Sequence, residues 1–378
     1  MSDRQPVIVS AVRTAQGKKG GVYADTSSEK LSVPLVNEML TRTGIDPSDV
    51  DDVAWGLAKQ VKEQSNNIGR VIALLSDLGE EVPGRTIDRL CASSAQAIMD
   101  ASDAIRAGQR EVMIAGGVEN MTRVEREYSI GVYDGIDEHY DVDALAMGQT
   151  AEEVAERYDV SRERQDEYAA RSQQRAVEAT EAGRFDDEIV PIDTGEEVVD
   201  TDEGLRPGTT AEKVAKLPTV FREDGTVTAA NASQISDGAA AVTITSRRYA
   251  EDQGLDIMAE VGDHEVVGVD PYVMGIGPVP AVRKLCERTG RDTDDYDLVE
   301  LNEAFASQTL YCQDELGFDD DVFNVNGGAI AIGHPLGASG ARLPVTLIHE
   351  MHRRNADLGL STMCVGYGQG AAVEFRRP

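Results

Sequence analysis

Apolar positions recur along this chain in two alternating periods. VIVSAV at 7–12 is an unbroken apolar run of strand length and reads as a buried strand. Residues 29–43 read as a helix that ends in a Gly-Ile-Asp-Pro turn. DVDDVAWGLA at 49–58 reads as a strand, 66–79 as a helix, and RTIDRL at 85–90 as a short strand. CASSAQAIMDASDAIRAG at 91–108 is rich in alanine, sets Ile98, Ala101 and Ile105 on one helical face, and stops at Ala-Gly. EVMIAGG at 111–117 is a further strand. Alternation of this kind predicts an α/β fold, a sheet with crossover helices.

The order returns near the C-terminus. DDYDLVELNEA at 294–304 resembles SDVDDVAWGLA at 48–58. DVFNVNGG at 321–328 takes the place of RTIDRL, GASGARLPVTLIHEMHRR at 337–354 that of the 91–108 helix, and STMCVGYG at 361–368 that of EVMIAGG. Asp51 lies 40 positions before Cys91, and Asp297 lies 37 before His334. The repeat predicts two similar halves, each opening a small-residue helix at the same place. The expected units are an N-terminal half over 1–118 plus about 236–256, an insertion over 119–235, and a C-terminal half over 257–378. The insertion holds an acidic helix at 150–182 and an acidic connector at 186–204.

Charge narrows the partners. The formal net charge is −32 over 378 residues, with 8 lysines against 28 arginines. Such a chain is poorly suited to nucleic acid or anionic membrane surfaces, whose binding depends on cations. Acid in large excess with scarce lysine points to salt adaptation, because salt screens self-repulsion. One stretch departs from this. Residues 204–222 carry Arg206, Lys213, Lys216 and Arg222 against Glu212 alone, which suggests a site for a phosphorylated ligand. Cys91, Cys286, Cys312 and Cys364 form no CxxC pair, so neither a zinc site nor a disulfide scaffold is expected, and a reducing cytoplasm fits. The start reads as strand rather than signal peptide, and no run is long enough to span a membrane.

Several residues stand where chemistry collects. Cys91 follows a short strand and opens a helix, where backbone N–H groups lower a thiol pKa. Its neighbours Ala92, Ser93, Ser94 and Ala95 are small enough for a ligand to approach. His334 lies in the glycine-dense loop GGAIAIGHPLGASG, and Cys364 enters CVGYGQG. Asn302 and Glu303 end a strand in LVELNEAFA. All of these follow strands, where α/β folds gather ligands. His139, His264, His349 and His352 read as solvated or structural, as do Cys286 and Cys312 on helices.

At this point the chain resembles the thiolases, over nearly its whole length. DRLCASSAQA resembles their nucleophile motif, NEAFA their oxyanion motif, NGGAIAIGHPLGASGAR their histidine motif and CVGYGQG their second-cysteine motif. GTVTAANASQISDGAAA resembles their pantetheine-contacting loop. The resemblance implies a five-layered α-β-α-β-α fold of two similar halves with an inserted loop domain. Cys91 would be the acylated nucleophile, activated by His334. Cys364 would remove a proton from the second acyl-CoA, or return it. His334 and a water held by Asn302 would form one oxyanion hole, and the N–H groups of Cys91 and Gly366 the other. Ser233 would contact pantetheine, Met147, Met274 and Phe305 would line the pocket, and Arg206 and Lys213 would meet the nucleotide end of CoA. Coenzyme A thioesters would be substrates, with no permanently bound cofactor and no metal. A homodimer or dimer of dimers is implied, with room for a small accessory protein, and a place in fatty acid metabolism.

The sequence departs from the family pattern in places. Ala15 stands where proline is usual, Tyr367 where glycine is common, and Ala146 where short-chain members often carry histidine. Residues 121–146 are short for the family's oligomerisation loop. Two rivals remain. A 3-oxoacyl-carrier-protein synthase needs a second histidine or an asparagine in place of Cys364. A non-catalytic CoA-binding subunit has no need of Cys91, His334 and Cys364 together.

Overall fold

The computed structural model describes residues 3–124 and 135–378. Twelve strands are present among them: β1 (Pro6–Arg13), β2 (Gly17–Lys18), β3 (Asp52–Gly56), β4 (Gly84–Ile87), β5 (Val112–Asn120), β6 (Ile192–Asp193), β7 (Val198–Val199), β8 (Ser236–Ser246), β9 (Ala259–Gly268), β10 (Leu298–Leu301), β11 (Leu358–Val365) and β12 (Gln369–Arg376). The main sheet runs β10-β11-β12-β9-β1-β8-β5-β3-β4. It is two half-sheets joined edge to edge, with β1 meeting β9 at only two residue pairs, Val7 with Glu260 and Ile8 with Ala259.

The duplication is visible in the pairing. β3 is parallel to β5, and β10 is parallel to β11. In the first half β8 runs antiparallel to β5 and β1 to β8. In the second, β12 runs antiparallel to β11 and β9 to β12. Residues 321–328 hold the position of β4 but form no strand. Isolated parallel bridges, Val299 with Phe323 and Val325 with Gly327, mark the place, and the chain turns at Asn324 with φ 43°.

Two helices, Ser93–Arg106 and Leu336–Arg354, form the central layer. Their apolar residues, including Ile98, Ile105, Leu343 and Ile348, share one core with Met113 and Ile244 of one half-sheet and Met363 and Phe375 of the other. Leu31, Leu35 and Ile72 on the outer helices Ser28–Thr43 and Ile68–Leu75 cover the first half-sheet. Leu285 and Leu310 on Pro278–Thr289 and Ala306–Leu316 cover the second. This is the expected five-layered α/β architecture. The central helices pack backbone to backbone. A side chain at Gly340 would come 2.4 Å from the Ala95 nitrogen, and the second helix also presses on β5, where a side chain at Gly117 would come 2.1 Å from the Gly337 carbonyl. That approach brings the chain around Cys91 and the chain around His334 together.

Residues between β5 and β8 form the insertion's elements. The single acidic helix expected over 150–182 is two helices, Met147–Arg157 and Arg162–Glu181. Asp159 adopts φ 55° between them, and Ser161 caps the second by accepting from the Arg164 N–H. Arg13 of β1 ties the insertion to the sheet. Its buried guanidinium meets Asp202 at 2.8 and 3.0 Å and Glu188 at 2.6 Å. The expectation about 121–146 falls partly outside the described residues. No helix among the described residues is long and apolar enough to cross a membrane.

Candidate active site

Cys91 lies in a 3-10 turn, Leu90–Ala92, just ahead of the Ser93–Arg106 helix. Leu90 holds φ 48°, unusual for a side chain of its kind. Three bonds keep it there. The Leu90 N–H donates to Asp88 Oδ1 at 2.8 Å, the Arg89 N–H donates to Ser93 Oγ at 2.9 Å, and Ser93 Oγ donates to the Leu90 carbonyl at 2.6 Å. The resting thiol is not the thiolate suggested by a helix N-terminus. Burial pushes Cys91 up to about 11, against the pull of the Gly366 N–H and its own N–H. Those two amides, one from each half of the chain, are the groups that favour the thiolate.

His334 is buried, and its ring is pinned at both nitrogens. Nδ1 lies 2.6 Å from Ser339 Oγ, which donates its proton to the Pro335 carbonyl at 2.9 Å. The hydroxyl thus accepts from Nδ1–H, which leaves the lone pair on Nε2. The Asn302 Nδ2 amide donates to Nε2 at 3.3 Å. Burial and the nearby Arg342 guanidinium push His334 down to about 3, so the imidazole is neutral. Asn302 Oδ1 is buried with no partner among the described residues. It can accept from a water, or face Nε2 after a half-turn of the amide once that nitrogen is protonated.

Glu303 fixes the strand end that carries Asn302. Its buried carboxylate accepts from Tyr168 and Ser172 hydroxyls, both at 2.7 Å, and from the Ile330 N–H at 3.0 Å. The insertion, the β10 end and the loop before His334 are thereby one unit.

Cys364 ends β11 within a buried cluster that includes Met274, Phe305 and Ala304. Burial, and then Cys91, push its thiol well above the ordinary value. Met147 lies on the other side, 3.9 Å from where a Gly366 side chain would begin. Ser233 stands in a loop docked on NEAFA, its N–H donating to the Ala304 carbonyl at 2.9 Å. Phe221 packs edge-on against Phe305 with centroids 6.2 Å apart and stays partly exposed. Reading 204–222 for charge alone missed this aromatic.

The basic stretch is not one patch. Arg222 is consumed by Gln149 and Glu156, both at 2.9 Å, and by Glu153 at 3.4 Å. Lys213 Nζ donates to the Gly208 carbonyl at 2.6 Å. The exposed Arg206 anchors by its backbone N–H to Gln173 Oε1 at 2.9 Å and lines a small cavity of about 110 Å³ with Gln174, Val177, Gly208 and Thr209. Among the described residues, no group of three or more His, Cys, Asp or Glu could hold a metal ion.

Residues 6–248 match the family model for the thiolase N-terminal domain, and 255–377 that for the thiolase C-terminal domain. The 3-ketoacyl-CoA thiolase of Aliivibrio fischeri is 45% identical, the alignment covering 98% of this chain and 99% of that one. That of Erwinia tasmaniensis is 46% identical with the same coverage. The crystal structure of the Bacillus anthracis acetyl-CoA acetyltransferase superposes with a TM-score of 0.92 at 40% identity, covering 99% of both chains. The fold and these matches define an acyl-transfer enzyme. The chain belongs to the thiolase family.

Proposed function

We propose that this chain exchanges acyl groups between coenzyme A thioesters: acyl-CoA plus acetyl-CoA to and from 3-oxoacyl-CoA plus CoA. The carrying observation is the buried His334, fixed between Ser339 Oγ at 2.6 Å and Asn302 Nδ2 at 3.3 Å, in a fold that brings the turns of Cys91 and Gly366 into contact. In thiolysis, His334 Nε2 takes the Cys91 proton as the sulfur attacks the 3-oxo carbon. The C2–C3 bond breaks and leaves an acyl-enzyme and the enolate of acetyl-CoA, which takes a proton from Cys364. The Cys364 thiolate then takes the proton of incoming CoA. The CoA thiolate attacks the acyl-enzyme, and departing Cys91 recovers its proton from His334. Both sulfurs and the imidazole rest neutral, and the charges that form on sulfur, imidazole and substrate oxygen during the cycle are returned by its end. The Cys91 and Gly366 amides would hold that oxygen on the acyl-enzyme, and His334 with the Asn302-held water the enolate oxygen. A missing donor at such a site typically costs on the order of 10²–10³ in rate.

Met147, Met274, Phe305 and Phe221 would line the acyl and pantetheine channel, Ser233 would contact pantetheine, and Arg206 and Lys213 would meet the nucleotide end. Coenzyme A thioesters are substrates and no permanently bound cofactor takes part. A homodimer fits the free edge of β4 beside exposed Val71, Leu74 and Leu75. Four free cysteines fit a reducing cytoplasm.

Separating the two cysteines tests the reading. Cys91→Ala should abolish turnover and the acetyl adduct formed from acetyl-CoA. Cys364→Ala should still acetylate at Cys91, then stall before carbon–carbon bond formation. Intact mass, and exchange of the acetyl methyl protons with deuterated water, report the two steps. Acetylation of Cys91→Ala but not of Cys364→Ala would reverse the roles.

A further inference from the structure

We propose that Arg89 and Gln369 are positioning residues that hold the Cys91 and Gly366 amides in register with each other. This rests on the acyl-enzyme reading above and adds to it the device that assembles the hole. The two donors come from opposite halves of the chain, on turns that strain the backbone. Leu90 precedes Cys91 at φ 48°, and Tyr367 follows Gly366 at φ 61°. Non-glycine residues hold such angles only when their surroundings impose them. The turns also touch, since a side chain at Gly366 would begin 3.0 Å from Leu90 Cδ1.

One hydrogen-bonded chain crosses between them. Arg89 Nη1 donates to Gln369 Oε1 at 3.0 Å, and Gln369 Nε2 donates to the Gly366 carbonyl at 3.4 Å. On the other side Arg89 Nε donates to Gln96 Oε1 at 2.6 Å, and Gln96 Nε2 donates to Asp100 Oδ1 at 2.6 Å. Every bond points outward from the guanidinium, so each amide is polarised in the sense that strengthens the next. The first-half end is anchored in the Ser93–Arg106 helix, and the second-half end grips the Gly366–Tyr367 peptide. The cation touches neither sulfur. Its reach fixes how far apart the two amide donors stand, and an oxyanion hole tolerates little error in that distance.

Three variants test this: Arg89→Met, Gln369→Met and Gln369→Glu. The last keeps a partner for Arg89 but puts an acceptor where Gly366 needs a donor. In all three, acetylation of Cys91 by acetyl-CoA, followed by quenched intact mass, should slow roughly 10- to 100-fold, less than outright loss of a donor. Half-saturation by acetyl-CoA should stay within about twofold, because the nucleotide contacts are distant. Alkylation of Cys91 by iodoacetamide needs a reactive thiol but forms no carbonyl oxyanion, and should fall clearly less than acetylation. Acetylation at the parent rate in Gln369→Met or Arg89→Met overturns the proposal. So does a parallel loss of acetylation and alkylation, which assigns the residues to the fold or the thiol. Failure of the unsubstituted chain to acetylate sinks the acyl-enzyme reading instead.

Discussion

Ser339 Oγ stands 2.6 Å from His334 Nδ1, one helical turn into the helix that follows the histidine. Its proton is committed to the Pro335 carbonyl, so it selects the tautomer that leaves Nε2 free to accept. Ser339→Ala removes that choice and little volume. The expected result is a fall in kcat of about 10- to 100-fold, short of the ~10²–10⁴ that general acid–base catalysis supplies in full. Imidazole nitrogen NMR should show both tautomers in the variant and one in the parent. A single unchanged tautomer in Ser339→Ala would refute the pinning.

The pH dependence follows from the same burial. His334 is held neutral down to about 3 and Cys91 protonated up to about 11. A profile of kcat/KM is therefore expected to cross 6.5, the ordinary histidine value, without an inflection from His334. The depressed value also acts on stability. Between about 3 and 6.5 the unfolded chain binds a proton that folded His334 refuses, so this group's penalty grows as pH falls through that window. Replacement by a residue that does not titrate, as in His334→Asn, should make the chain less sensitive to acid unfolding. A one-proton limb near 6.5 in the parent's kcat/KM profile, or equal acid sensitivity of the parent and His334→Asn, would show the ring to be solvated.

Arg206 and Arg222 should behave differently although both lie in the basic stretch. Arg206→Ala is expected to raise the apparent KM for CoA roughly tenfold, the worth of one charge-assisted hydrogen bond, with kcat nearly unchanged. Arg222 holds Glu153, Glu156 and Gln149. Arg222→Ala should lower the melting temperature of the loop region more than it changes KM. A large drop in kcat with unchanged KM in Arg206→Ala would remove that residue from the nucleotide end.

The parts legible in the chain were those written in local pattern. The VIVSAV strand, the alanine-rich helix after Cys91 and the glycine-dense loop before His334 each declare themselves by period or composition, and the repeat joined them into two halves. What escaped depends on distant partners. The break at Asp159 carries no glycine or proline, and only the capping serine at 161 marks it. His264 lies in β9 and meets Asp103 at 3.1 Å, a place set by pairing with β12 that its polar neighbours do not announce. The neutral state of Cys91 was hidden for the same reason: a helix start is local, while the burial that outweighs it comes from the other half. Ser339 and Phe221 lay inside motifs read for other residues.

Cys91 belongs to the first half of the chain, whereas Asn302, His334, Cys364 and Gly366 all belong to the second. A nascent polypeptide therefore exposes its cysteine long before any base or acceptor exists to arm it. Until then the thiol has only the slow chemistry of any free cysteine. The catalytic set is complete only when β11 and the turn after it close on the first half.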